Sequence, residues 1–269
     1  MKRKTRKALY LLFLILVFGT YYFLKNTDAG PDSKEVTVIE VLDGDTVIID
    51  DAKHSRVRYL DIDTPEIPLQ NSPGDPMALE AWDFNSGLVE GKKVRLEFDR
   101  QKYDPYGRIL AHVYIDDLMV NEELLKQGLA TVLIIEPNDK YSEIMNDAVN
   151  QAKKERKGIW ANLRKLPPPE GNRRFLVDLD KVSRYEGKRV VIDGYVTDTR
   201  KSDKVIVLNM QDMIDIVIFS DDIENFEYFG IEPDNYYKNK HVEVIGRVRM
   251  WKGKPSMVVD HPMLMRSLN

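Results

Sequence analysis

The chain has 269 residues, 43% of them hydrophobic and 31% charged, with a formal net charge of −4. That length accommodates a membrane segment and two small domains of about 100–150 residues each. The absence of cysteine excludes disulfides and thiolate metal sites. The four histidines (His54, His112, His241 and His261) offer no pair at ligand spacing and read as surface or strand residues rather than a zinc centre.

In chain order, Lys2, Arg3, Lys4, Arg6 and Lys7 precede an apolar run at 8–24, with Tyr21 and Tyr22 at its far end. The run is near the lower length for crossing a bilayer. Residues 1–25 are therefore expected to be an uncleaved signal anchor or a cleaved signal peptide. Positive charge stays on the cytoplasmic side, so everything after Lys25 would lie outside, at the cell membrane or secreted. Residues 26–34 form a polar linker.

Alternating apolar residues predict strands near 36–42, 45–50 and 54–62. A Pro/Gly-rich loop at 65–76 follows, then a helix at 76–89 with Trp82, Phe84 and Leu88 on one face and Glu80 as a buried support. Strands are expected near 93–99 and 108–115. Asn121 looks like the N-cap of a further helix, and another helix spans 139–158. These elements make a first domain at 35–163. The run Pro167-Pro168-Pro169 marks a stiff linker at 164–172. Residues 173–269 read as a second, mostly β domain with a helical insert near 220–229. The expected class is mainly β with α (α+β).

The stretch at 41–66 stands out. Asp43, Asp45, Asp61, Asp63 and Glu66 are interleaved with Val, Ile, Leu and Tyr. Carboxylates crowded at strand ends repel unless positive charge lies between them. A hard cation with oxygen ligands or the guanidinium of Arg58 could supply it. Taken alone, Asp43-Gly44-Asp45 could be a plain hairpin turn, and Arg58 and Arg108 could be surface ion-pair partners. Arg58 and Asp63 are an odd number apart, so strand alternation does not bring them together.

Asp43-Gly44-Asp45-Thr46, then Arg58 leading into Asp63-Thr64-Pro65-Glu66, resemble the signature of the staphylococcal-nuclease (thermonuclease) family. Asp104-Pro105-Tyr106-Gly107-Arg108 and the blocks at 121–130 and 152–160 follow in the family's order, and the resemblance covers roughly 36–162. It implies a small OB-type β-barrel with three helices and a metal-dependent nuclease acting on DNA and RNA, single strands preferred, that leaves 3′-phosphates. By the same resemblance Asp45, Asp63 and the backbone carbonyl of Thr64 would ligate Ca²⁺ (Mg²⁺ second), with Asp43 helping through water. Glu66 would activate the attacking water, Arg58 and Arg108 would grip the phosphate, and Tyr106 would hydrogen-bond a terminal phosphate. Pro105 replaces the family's lysine, and the loop after Glu66 lacks its basic residues.

Residues 34–166 carry 18 Lys and Arg against 25 Asp and Glu. That is unusual for a polyanion binder, so binding must rest on positive charge local to the site. A catalytically weak nucleic-acid-binding scaffold is the alternative reading. The blocks at 187–196 and 251–262 resemble OB-fold nucleic-acid-binding domains, making a second OB-type barrel the expectation. There Tyr195, Phe219 and Trp251 could stack on bases or belong to the barrel core or edge. Lys201, Lys204, Arg247, Arg249, Lys252 and Lys254 could contact phosphates. A monomer is assumed.

Overall fold

The computed structural model describes residues 32–166, 168–169 and 171–268. The expected signal anchor or signal peptide lies outside these residues. Among the described residues, no helix is long and apolar enough to cross a membrane.

The first barrel begins as an antiparallel meander: β1 (Ser33–Val41), β2 (Thr46–Ile49) and β3 (Arg56–Tyr59). β5 (Lys93–Glu97) pairs antiparallel with β1, and β6 (Ile109–Ile115) pairs antiparallel with β5 and parallel with β3, which closes five strands on themselves. The alternating side chains Val36, Val38, Val47, Ile49, Val57, Tyr59, Leu96 and Val113 fill the interior. Their intervening neighbours on the strands face out. Two short strands, β4 (Ile62–Asp63) and β8 (Thr131–Val132), pair beside the barrel, and β7 (Leu118–Met119) extends its edge.

Three helices cover this barrel. In α1 (Ala78–Val89), Ala78, Ala81, Asn85 and Val89 recur every three or four residues and are buried. Glu80 is exposed, so the expectation of a buried support fails: it sits one position before the buried Ala81 and points to water. In α2 (Val120–Lys126), the cap is Met119 and Asn121 lies inside the helix. The Asn121 side chain is buried, where its amide donates to the Leu60 carbonyl and its oxygen accepts from the Val113 N–H. Tertiary hydrogen bonding has thus taken the residue that the sequence suggested as a cap. The third helix, α3 (Ser142–Glu155), packs on α2. Gly128 and Gly158 lock the ends of these helices. A β-carbon on Gly128 would lie 2.3 Å from the Lys157 carbonyl oxygen, and one on Gly158 would lie 2.0 Å from that of Gly128.

The second barrel repeats the strand order of the first, except that the two strands at its seam touch without a backbone ladder among the described residues. β9 (Arg189–Lys201), β10 (Val205–Met210) and β11 (Ile214–Phe219) form a meander. β12 (His241–Arg247) returns antiparallel to β9, and β14 (Lys254–Val258) lies parallel to β11. β13 (Arg249–Trp251) and β15 (Met265–Ser267) flank β14 and β12. Short helices α4 (Ile223–Glu227) and α5 (Pro233–Tyr236) fill the gap between β11 and β12. Phe219, Tyr195 and Trp251 are 45%, 50% and 68% exposed, so they lie on the surface and not in the core.

The two barrels pack directly against each other and are not held apart by a spacer. Trp160 is 1% exposed because Phe229 stacks on it at 6.5 Å, and Tyr228 and His261 meet its ring edgewise. The Tyr228 hydroxyl donates to the carbonyls of Lys153 and Trp160. The Asn172 amide makes a two-way bridge with the backbone of Gly74. Arg189 forms a largely buried ion pair with Asp75. His112 and His261 are also fully buried: His112 is a strand residue, as expected, whereas His261 is neither on the surface nor in a strand. His112 meets Asp61 at 2.8 Å, and His261 is seated in the interface with its Nδ1 accepting from the Met263 N–H.

Candidate active site

The turn joining β1 to β2 holds Asp43-Gly44-Asp45. α1 fixes it from one side, where the Trp82 indole donates to the Val41 carbonyl and Asn85 links the Asp43 carbonyl to the Tyr59 hydroxyl. From the other side, Thr64 donates its backbone N–H (2.8 Å) and hydroxyl (2.9 Å) to Asp45 Oδ2. Gly44 permits that approach, since a β-carbon there would sit 2.7 Å from Thr64 Oγ1.

Arg58 lies on the outward face of β3, between buried Val57 and Tyr59. Its guanidinium pairs with both Asp45 and Asp63. The odd spacing between Arg58 and Asp63 is resolved by Asp61. Its φ of 65° breaks the alternation after β3 and turns the chain so that Asp63 faces back toward Arg58. Aspartate tolerates this left-handed conformation better than most residues. Here its carboxylate is tied to His112 on β6.

Electrostatically, three carboxylates share one guanidinium. Burial, reinforced by the neighbouring Asp45, pushes Asp43 up to about 7. Asp63 keeps 42% of its side-chain exposure at the cleft, yet desolvation by the surrounding protein pushes it up to about 8: Arg58 opposes, while Asp45, Asp260 and Glu66 add to the rise. Burial works against the charge of Arg58, yet Asp45, Asp63 and Asp43 outweigh it and hold the proton more firmly than in an ordinary arginine. Among the described residues, no three acidic, histidine or cysteine side chains converge on a point that would hold a metal ion. The donor set still fits a hard cation, because all its atoms are oxygen and its negative charge exceeds what Arg58 neutralises.

Glu66 is exposed, and its side chain has no hydrogen bond or ion pair among the described residues. Only its backbone is tied, by an N–H bond to Asp75 Oδ2 at 2.9 Å. Arg108 lies two residues before Leu110, the register partner of Arg58, so alternation gives both arginines the same face. Its Nε donates to Asp104 at 2.6 Å, however, so it is held away from the carboxylates. Tyr106 is 87% exposed.

Residues 56–162 match the family model described as "Staphylococcal nuclease homologue". The chain is 40% identical over 172 residues to the thermonuclease of Staphylococcus hyicus, spanning 60% of this chain and 100% of that one. The Staphylococcus intermedius thermonuclease is also 40% identical, over 169 residues and 99% of its length. This chain belongs to the staphylococcal nuclease family. Endonuclease YncB of Bacillus subtilis (strain 168) is 43% identical over 129 residues, covering 47% of this chain and 61% of that protein.

The family match ends at Asn162, before the second barrel, yet the second barrel shapes the site of this nuclease-family domain. A cleft of about 210 Å³ is lined by Asp63, Thr64 and Glu66 on one side and by Arg189, Arg247, Arg249 and Asp260 on the other. Asp260 is itself pushed up by burial and by the neighbouring Asp75. Sequence reasoning missed Asp75, Arg189 and Asp260. Nothing local distinguishes them, since each acquires its place only when the barrels dock. Asp43, Asp45, Arg58, Tyr106 and Arg108 lie outside the cleft lining, Asp45 and Arg58 being joined to it through Thr64 and Asp63.

Proposed function

We propose that the protein is an extracytoplasmic nuclease that hydrolyses phosphodiester bonds of DNA and RNA, leaving 3′-phosphates. The observation that carries this reading is the shared edge of one cleft where Asp63, held by Arg58, meets the unbonded Glu66. Asp45, Asp63 and the Thr64 carbonyl, with Asp43 through water, would hold a divalent cation. It would supply Lewis-acid charge to the phosphoryl group and make nearby water more acidic. An all-oxygen set selects Ca²⁺ or Mg²⁺ over softer metals, and the family resemblance favours Ca²⁺.

The chain's own groups divide the remaining work. Glu66 Oε takes a proton from the attacking water, a task suited to an exposed carboxylate with no competing donor. Arg58 offers a fork of N–H donors whose charge is independent of working pH, so a phosphoryl oxygen can be held in place of a carboxylate. Arg108 reaches the phosphate by exchanging Asp104 for it, and Tyr106 is free to donate to a terminal phosphate. The basic cluster and apolar run at 2–24 support anchoring at the membrane with the catalytic domain outside, and a monomer suffices for this chemistry.

Digestion of single- and double-stranded DNA and RNA in Ca²⁺, Mg²⁺ or chelator tests the reading. Cleavage in Ca²⁺ that stops with chelator is expected. Cleavage unaffected by chelator would remove the cation's role, and no cleavage with any metal would leave a nucleic-acid-binding scaffold.

A further inference from the structure

We propose that Arg249, assisted by Arg247, forms a substrate subsite on the second barrel that grips a backbone phosphate flanking the one held by Arg58 and attacked beside Glu66. The proposal rests on the nuclease reading of the site and extends it to residues beyond the family match.

Four observations converge. Arg247 and Arg249 line the same cleft as Asp63 and Glu66. They flank Val248, which is fully buried, so alternation at the junction of β12 and β13 sends both arginines outward together. The Arg249 side chain is exposed and has no hydrogen bond or ion pair among the described residues. Arg247 commits one Nη1 to the Gly187 carbonyl and keeps the rest of its fork. By contrast, the third arginine of the cleft, Arg189, is consumed by Asp75.

The charge distribution supplies the need. The catalytic barrel has an excess of acidic residues, 25 against 18 basic at 34–166, so it repels the strand it must hold. Free guanidinium groups facing the carboxylates across the cleft correct that deficit where the substrate lies. Val258, Met263 and Leu264 add apolar lining that suits a sugar or base between two phosphates.

The test compares Arg249→Ala, Arg247→Ala and the double variant with wild type in the full chain. Lys238→Ala, exposed and outside the cleft, is the surface-charge control. Arg249→Ala should raise KM on a single-stranded 12-mer about tenfold, the effect of losing one charge-assisted phosphate contact. The salt slope of log affinity should fall by about 0.7 per phosphate released. Neither kcat nor KM on a dinucleotide with one scissile phosphate should change, and Arg249→Lys should restore part of the loss. Equal KM effects on both substrates, or an unchanged salt slope, would overturn the subsite.

Binding of a fluorescent 12-mer in chelator, read by anisotropy, separates this proposal from the reading beneath it. Arg249-dependent binding without turnover in any metal would retain the subsite and refute the nuclease. Turnover with Arg249-independent binding would do the reverse.

Discussion

The two barrels share a strand order and differ in what they do with the same positions. In the first, the turn between the leading strands carries Asp45, buried and held by Thr64 and Arg58. In the second, the corresponding turn carries Asp203, exposed, in a simple serine-stabilised hairpin around Ser202. The third strand of the first barrel carries Arg58 on its outer face, whereas that of the second, β11, alternates buried isoleucines with Asp215, Val217 and Phe219. A common scaffold therefore does not dictate chemistry. The difference lies in which side chains the turns and the outward face present, and in whether something closes over them.

The sharpest way to break the comparison is to disable the acting carboxylate. Glu66→Gln should keep nucleotide binding and lose turnover by roughly 10²–10⁴-fold, as expected for a missing general base. Asp203→Asn in the second barrel should leave rates unchanged. Steady-state kinetics on one oligonucleotide decides both. Near-normal turnover in Glu66→Gln would remove its assignment.

Next in size is the coupling between the barrels. Arg189→Ala leaves Asp75 buried beside Glu66 without its partner, and breaking such a pair costs about 3–5 kcal/mol. Chemical denaturation should show that loss, with a fall in kcat because the Glu66 backbone is tied to the same carboxylate. Replacing both Asp75 and Arg189 by apolar residues should restore most of the stability and not the rate.

A smaller, pH-dependent effect should follow from the crowded carboxylates. Asp43 and Asp63 are raised to about 7 and about 8, above their unfolded values. The folded state therefore binds more protons than the unfolded chain between about pH 4 and pH 8, and metal-free stability rises as pH falls through that window. His261 acts in the opposite sense. Burial holds it down to about 3, so below about pH 6.5 the unfolded chain gains protons that the folded state does not. In chelator, Tm should rise from pH 8.5 to 6.5 and then more gently toward pH 4, because two raised carboxylates outweigh one depressed histidine. Asp43→Asn should make the first limb shallower and His261→Phe should make the second steeper. A metal-free Tm that falls from pH 8.5 to 6.5 would contradict this account of the site.

The smallest expected effect is at Trp251. It is 68% exposed, so Trp251→Ala should change stability by less than about 0.5 kcal/mol. A larger loss in the unfolding midpoint would mean that the ring is part of the fold.

The first barrel was legible because its strands alternate cleanly and its acidic turn abuts apolar strands. The second was legible in outline for the same reason. What sequence alone could not supply was contact between distant segments. Asn121 carries the chemistry of a cap, but two distant backbone groups claim it. The meeting of Arg58 and Asp63 required a positive φ at Asp61, which alternation cannot anticipate. His261 and Arg189 look unremarkable in the chain, and only docking gives them a role.

Asp75 has one further consequence, for descent rather than mechanism. Its Oδ2 steadies the Glu66 backbone while its Oδ1 side meets Arg189 of the other barrel. A lineage that shed the C-terminal barrel by a single truncation would strand this carboxylate without its counter-charge beside the reacting group. Loss of the appended barrel should therefore be accompanied by a change at residue 75.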